Sequence, residues 1–442
     1  MDYIANREPQ ILEMLQSIGI KSIEELFQVI PKEILLSPPN ADDGLSEFEG
    51  IQHMNAIAKK NKAHLMESYL GGGAYEHHIP AIVQAICQKS EFLTSYTPYQ
   101  AEASQGMLQV IFEFQSAICA LTEMDISNAS LYDGSSACAE AILMAARIQK
   151  KRKKILISHY LNPFYRKVID LYLASQEIEL ITISDMNSIE EYLNEDVAAV
   201  LIQYPNFFGF IEDIKTIFKK STAFGCINIL CANPLVYALY KSASEVGADI
   251  AVGDCQPFGI NLQFGGPYAG YIACKESFLR QLPGRIVGET VDTEGKRGFT
   301  LTMQAREQHI RREKATSNIC SNQALCALAS LVTMLWYGPE GLKKLALTNF
   351  QRSSYLKTNL EKINGITPFN TSPHFNEFTI NLNTPIEPIL TYFRKHSIEP
   401  GISTEIYFPE FENTLLICVT ETKNKYQLDK YIQTMKDALK EV

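Results

Sequence analysis

The chain has 442 residues, which is long enough for two or three domains. A net charge of -10 argues against nucleic acid as a main partner. No run reaches the roughly 18 apolar residues that a membrane span needs, so no membrane role is expected. Ten cysteines lie between Cys87 and Cys418 without a C-x-x-C, so neither a disulfide framework nor a metal site is indicated. Buried free thiols in a reducing, cytoplasmic setting fit better. The opening MDYIANREPQ carries charges and no apolar run, and does not read as a secretory signal.

Residues 8–34 read as a helical pair. Ile11, Met14, Leu15 and Ile18 recur at helical spacing, Gly19 stops the first helix, and Ser22 with Glu25 predicts a capping box for the second. Ser37–Gly50 is a linker by composition, and 51–69 reads as one more helix, which makes 1–69 an arm ahead of the rest. In the Gly-rich loop Leu70–Pro80, His77 and His78 are adjacent and cannot face one way; no third ligand lies near, which favours structural roles. The loop Ser95–Gly106 holds Tyr96, Thr97, Pro98, Tyr99 and Gln100. Its phenols are either packing residues with bonded tips or donors in a cleft. A helix follows, with Met107, Val110, Ile111, Phe114 and Ile118 on its apolar face.

A loop of Ser130, Tyr132, Asp133, Gly134, Ser135 and Ser136 then opens into an Ala-rich helix. Its free N–H groups and hydroxyls suit a phosphate or carboxylate. Plain capping by Ser or Asp explains the same residues. Strands at Ile155–Ser158, Ile178–Ile183, Ala198–Gln203, Gly225–Cys231 and Asp249–Val252 alternate with helices, the rhythm of parallel βαβ units. The fold class is therefore α/β with a mostly parallel central sheet, over 70–338. Loops at the strands' carboxyl ends are expected to share one crevice. The last of these strands leads into Gly253–Gly259, then the turn Gly265-Gly266-Pro267 and a strand Tyr268–Cys274. Such a loop commonly aims a reactive side chain. Its polar centre is Asp254, Cys255 and Gln256, without lysine, histidine or serine, so a plain connection is equally open.

Glu294–Arg312 is polar and Arg-rich, the usual mark of a solvated face. Thr316, Ser317 and Asn318 are expected to cap a helix from Ile319 to Trp336, a second candidate anion site. After Gly338, residues 339–442 predict a small α+β domain: helices at 340–361, 386–395 and 422–440, and strands at Phe378–Leu382 and Thr414–Cys418.

The segments SYTPYQAEASQG, NASLYDGSSACAEA, QFGGPYAGY, LPGRIVGETVD and RREKATSNICSNQAL resemble the P-protein of the glycine cleavage system, glycine dehydrogenase (decarboxylating). Their order and spacing are similar to subunit 1 of its two-chain form, over essentially the whole chain. The resemblance implies the aspartate-aminotransferase-like fold of type I pyridoxal-phosphate enzymes, with an N-terminal helical segment and a C-terminal α+β domain. It implies a partner, subunit 2, in an α2β2 assembly. That assembly decarboxylates glycine and passes the aminomethyl group to the lipoyl arm of H-protein. In the family's subunit 2, the Schiff-base lysine lies in a His-Lys-Thr-Phe run ahead of a Gly-Gly-Pro. Counting back from Gly265-Gly266-Pro267 puts Gln256 at the lysine, Cys255 at the His and Phe258 at the Phe. The family's Asp for the pyridine nitrogen opens an Asp-x-Ala-Asn run, which here is Leu230-Cys231-Ala232-Asn233. Neither Gln256 nor Leu230 does that chemistry. His159, at the ring-stacking position, is retained.

The resemblance thus implies a degenerate site, with pyridoxal 5'-phosphate held by the partner subunit and none bound covalently here. It further implies that Tyr96 and Tyr99 reach into the subunit 2 site. Thr316, Ser317 and Asn318 would lie near the cofactor phosphate across the interface, with Tyr132 also on the cofactor side. Arg311, Arg312 and Lys314 either favour anions there or pair with Glu307 and Glu313. Two other readings stay open. One is a pure scaffold for subunit 2. The other is a stand-alone enzyme using Lys241 or Lys275.

Overall fold

The computed structural model describes residues 6–36, 44–95, 98 and 100–441, so Tyr96, Thr97 and Tyr99 lie outside the described residues. The chain divides into two compact units, 1–64 and 65–442. In the first, α1 (Glu8–Ile18) starts with Pro in its first turn and ends on left-handed Gly19. The turn Ile23–Phe27 is a short 3-10 helix. Its expected capping box does not form: the Ser22 side chain makes no cap bond, and Glu25 accepts from the Lys21 N–H instead. The next helix, α2 (Glu47–Ala58), begins earlier than 51–69 because Ser46 and Glu49 cap it reciprocally, and it ends sooner. Leu15 is the unit's only buried apolar residue among those described, while Leu12, Phe27, Phe48, Ile51 and Met54 stay exposed.

The second unit is built on a seven-stranded sheet. Its strands are β1 (Ile126–Ser127), β2 (Lys154–Ser158), β3 (Glu179–Ile183), β4 (Val197–Tyr204), β5 (Ile227–Ala232), β6 (Ile250–Asp254) and β7 (Gly270–Cys274). They lie in the order β1-β7-β6-β5-β4-β2-β3. Strands β2 to β6 pair in parallel, while β7 and β1 close one edge antiparallel. The parallel core is covered on both faces, as the wholly buried β4 requires. The helix α3 (Gln105–Thr122) packs on one face, α4 (Gly134–Gln149) with α5 (Pro163–Leu173) on the other, and α6 (Ile214–Ala223) on the first face again. Alternation along β5 sends Leu230 to the first face and Cys231 to the second.

Part of the polar Arg-rich stretch is not a plain surface loop. A hairpin of β8 (Ile286–Val291) and β9 (Arg297–Thr302) turns on Asp292, whose carboxylate accepts from Glu294 and Lys296 N–H groups. Phe299 and Leu301 alternate inward along β9. The following helix also departs from expectation. It is α7 (Ala324–Leu360), 37 residues long, kinked at Gly338 just before Pro339. It begins at Ala324 rather than Ile319, so Thr316–Asn318 do not cap it.

The chain closes with a four-stranded antiparallel sheet, β10 (Ile366–Pro368), β11 (Glu377–Leu382), β12 (Ile402–Ser403) and β13 (Thr414–Cys418), in the order β10-β11-β13-β12. Helices α8 (Ile386–Lys395) and α9 (Lys425–Glu441) bury Ile389, Phe393, Tyr431 and Met435 against it.

Candidate active site

The carboxyl ends of β5 and β6 meet the start of α4, and the candidate residues gather there. Gln256 follows β6 and is 2% exposed. Its Nε2 donates to the carbonyls of Tyr75 (2.8 Å) and Ile260 (3.1 Å), and its Oε1 accepts from the Tyr75 N–H (2.8 Å). The amide is therefore spent on clamping the 70–80 loop to the β6–β7 connection. Cys255 and Phe258 on either side are fully buried in the core.

Asp254 ends β6 and turns toward α4. Its Oδ2 accepts from the Gly134 N–H at 2.9 Å, and its Oδ1 from the Gln256 N–H at 2.9 Å. Burial pushes its carboxyl up to about 7, against the pull of those N–H groups. At the same helix start, Asp133 Oδ1 accepts from Ser135 Oγ (2.6 Å), Ser136 N (2.7 Å) and Ser136 Oγ (2.8 Å). Capping by Asp133 is thus the local reading that holds at the start of α4. The space left between Tyr75, Tyr165, Gln203, Cys231, Asp254 and Pro257 amounts to about 20 Å³ for centres of water-sized molecules, room for one water.

Leu230 does not line this cavity; it packs on the other face of the sheet. His159 is also drawn elsewhere. Its Nε2 lies 2.6 Å from Glu410 Oε1, and its ring sits edge-on to Tyr160 and Phe408. The two lysines considered for an independent site are remote. Lys241 is exposed, and Lys275 follows antiparallel β7 at the end of the sheet where β6 begins, away from the site, paired to Asp249 at 2.5 Å.

Tyr132, Thr316, Ser317 and Asn318 come together in a separate open groove of about 760 Å³ beside α4, with Glu140, Arg147 and Tyr172. The Tyr132 hydroxyl accepts from the Cys320 N–H at 3.3 Å. The Thr316 N–H donates to Arg306 O, Ser317 Oγ accepts from the Ile319 N–H, and Asn318 Oδ1 accepts from Gln308 Nε2. Glu307 pairs with Arg285 and His309, not with the neighbouring cations, and Arg311, Arg312 and Lys314 are exposed. His77 is structural: its Nδ1 lies 2.9 Å from Glu421, which also accepts from the His78 N–H.

Three residues of this region escaped the sequence. Tyr75 and Tyr165 line the cavity, and buried Glu377 on β11 accepts from Gly72 N–H (2.6 Å) and Tyr75 Oη (2.7 Å). All three act across long chain separations, and no local pattern announces them.

Residues 1–435 match the family model described as Glycine cleavage system P-protein. The chain belongs to the P-protein family. A P-protein relative named probable glycine dehydrogenase (decarboxylating) subunit 1, from Protochlamydia amoebophila, is 60% identical over 99% of this chain and 100% of its own. The crystal structure of glycine decarboxylase (P-protein) of the glycine cleavage system, in inhibitor-bound form, matches at a TM-score of 0.90 with 39% identity. That match covers 99% of this chain and 100% of the other. A sphingosine-1-phosphate lyase of Burkholderia pseudomallei shares the fold alone, at TM-score 0.67 and 14% identity over 92% and 94% of the two chains. This P-protein chain thus has the fold of type I pyridoxal-phosphate enzymes. The residues at its own β5–β6–α4 site do not fit that cofactor. Gln256 offers no amine, two carboxylates stand where a phosphate would meet the helix start, and the cavity has room for no more than about one water.

Proposed function

We propose that this chain is the lysine-free half of a two-chain glycine dehydrogenase (decarboxylating), inactive by itself and working in the cytoplasm. A second subunit holds the pyridoxal phosphate. The two associate as α2β2, and the assembly decarboxylates glycine and passes the aminomethyl group to lipoylated H-protein, releasing CO2. The observation that carries this is Gln256, buried and bonded through both amide atoms at the position that the resemblance assigns to the lysine. The subunit 1 name of the 60%-identical relative supports a second subunit. So does the first unit, whose Leu12, Phe27, Phe48, Ile51, Met54 and Ile57 are left exposed.

In this reading Tyr96 and Tyr99 are lent to the partner's site, and Thr316, Ser317 and Asn318 reach toward its phosphate. Decarboxylation requires the glycine carboxylate in a water-poor pocket with the scissile bond perpendicular to the ring plane. Lent groups therefore position rather than react. The purified chain is expected to show no visible absorbance of bound cofactor, and the mixture with subunit 2 to show it. Borohydride reduction with pyridoxal phosphate followed by peptide mapping decides the point: a labelled lysine in this chain overturns the proposal. Tyr96→Phe is expected to lower turnover of the assembly without dissociating it. A wild-type rate removes that residue from the site.

A further inference from the structure

We infer that the Asp254 carboxylate is a built-in substitute for a cofactor phosphate, closing the degenerate pocket and holding it folded without a ligand. The inference rests on the reading that this chain carries no cofactor of its own. It adds what replaced the cofactor.

A helix start is a cluster of unpaired N–H donors that attracts an anion. At α4 that need is met twice from within the chain. Asp133 is the local cap, and it takes Ser136 N and both serine hydroxyls. That cap takes only one of the first backbone N–H groups, Ser136 N. The Gly134 N–H is bonded by a second carboxylate, 120 residues away in sequence. Asp254 is 7% exposed, so its charge is removed from water, and Asp133 adds a like charge beside it. The donors around it offset part of that desolvation: Gly134 N–H and Gln256 N–H bond separate oxygens.

The backbone is shaped for this approach. A Cβ at Gly134 would stand 2.4 Å from Tyr165 Oη and 3.0 Å from Asp254 Cβ. A Cβ at Gly270, on the neighbouring strand, would stand 2.2 Å from Asp133 O. Both glycines let the helix-start loop settle onto β6 and β7, so that a side-chain anion reaches where an external one would otherwise sit.

The test uses the full chain and inorganic phosphate. Asp254→Ser removes the internal anion and leaves the Gly134 N–H free. Its thermal midpoint in phosphate-free buffer is expected to fall below wild type. Added phosphate should then raise it by several degrees, increasing with the logarithm of concentration. The wild-type midpoint is expected not to move. Asp254→Asn, which keeps an acceptor but no charge, is expected to be destabilised without phosphate rescue. If Asp254→Ser does not fold in buffer, refolding from urea with and without phosphate becomes the readout, and recovery only with phosphate supports the inference. A variant as stable as wild type, one that phosphate fails to rescue, or a wild type that gains as much from phosphate overturns it. Failure of the underlying reading is seen separately, as a borohydride-labelled lysine in the wild-type chain.

Discussion

In the proposed reading, Gln256 is a catalytic position turned structural. Lysine at this depth would bring a charge into a buried site; the amide instead both donates to and accepts from one residue, Tyr75. Gln256→Ala leaves the Tyr75 N–H and carbonyl buried without partners. At about 1–3 kcal/mol for such a group, the variant is expected to lose roughly 3 kcal/mol of stability in a denaturant titration. Stability within experimental error of wild type would show that these bonds are not made. The position was legible in the sequence because the count to Gly265-Gly266-Pro267 is short and local. Its partner was not, since the bond spans 181 residues and Tyr75 belongs to no motif. The same holds for Leu230. Its place in the Leu-Cys-Ala-Asn run was readable, but strand alternation puts Cys231, not Leu230, on the cavity.

At the scale of elements, regular periodicity was readable and irregular backbone was not. The parallel strands announce themselves as apolar runs, and β13 and α8 fall at the expected bounds, Thr414–Cys418 and Ile386–Lys395. The β8–β9 hairpin was hidden because its few buried apolar residues, Ile286, Val287, Phe299 and Leu301, are separated by a polar, charged stretch. The join between β11 and the 70–80 loop was hidden because one side chain makes it. Burial raises the Glu377 carboxyl to about 7, although the Gly72 N–H and the Tyr75 hydroxyl favour its charged form. The ordinary value is 4.5. The folded chain therefore keeps a proton that the unfolded chain has released, and the contribution is full below about pH 4 and lost as pH rises to about 7. Glu377→Gln retains an acceptor for Gly72 and offers Tyr75 an amide donor. Between pH 4.5 and 8 its thermal midpoint is expected to fall less steeply with rising pH than that of wild type. Parallel curves would mean that Glu377 is ionised throughout.

At the scale of the whole molecule, the two units differ in kind. The larger one buries its mostly apolar central strands between helical layers, as a self-supporting core does. The smaller one has regular, well-capped helices and almost no core. Caps fix where α2 begins, but in water a short helix needs tertiary burial to persist. Phe48, Ile51, Met54 and Ile57 step along α2 three residues apart, with exposures from 46% to 70%. A second subunit covering that stripe would supply the missing burial, worth about 1.5–3 kcal/mol for each large side chain fully removed from water. Phe48→Asp combined with Ile51→Asp tests this directly. Neither residue is buried in the chain alone, so the thermal midpoint of the isolated chain is expected to stay within about a degree of wild type. The dissociation constant for the second subunit, measured by sedimentation, is expected to rise at least about tenfold, because a charge must then be desolvated where an apolar group was wanted. An unchanged constant would leave the stripe without a partner. A large drop in the midpoint would instead show that α2 is covered by this chain itself.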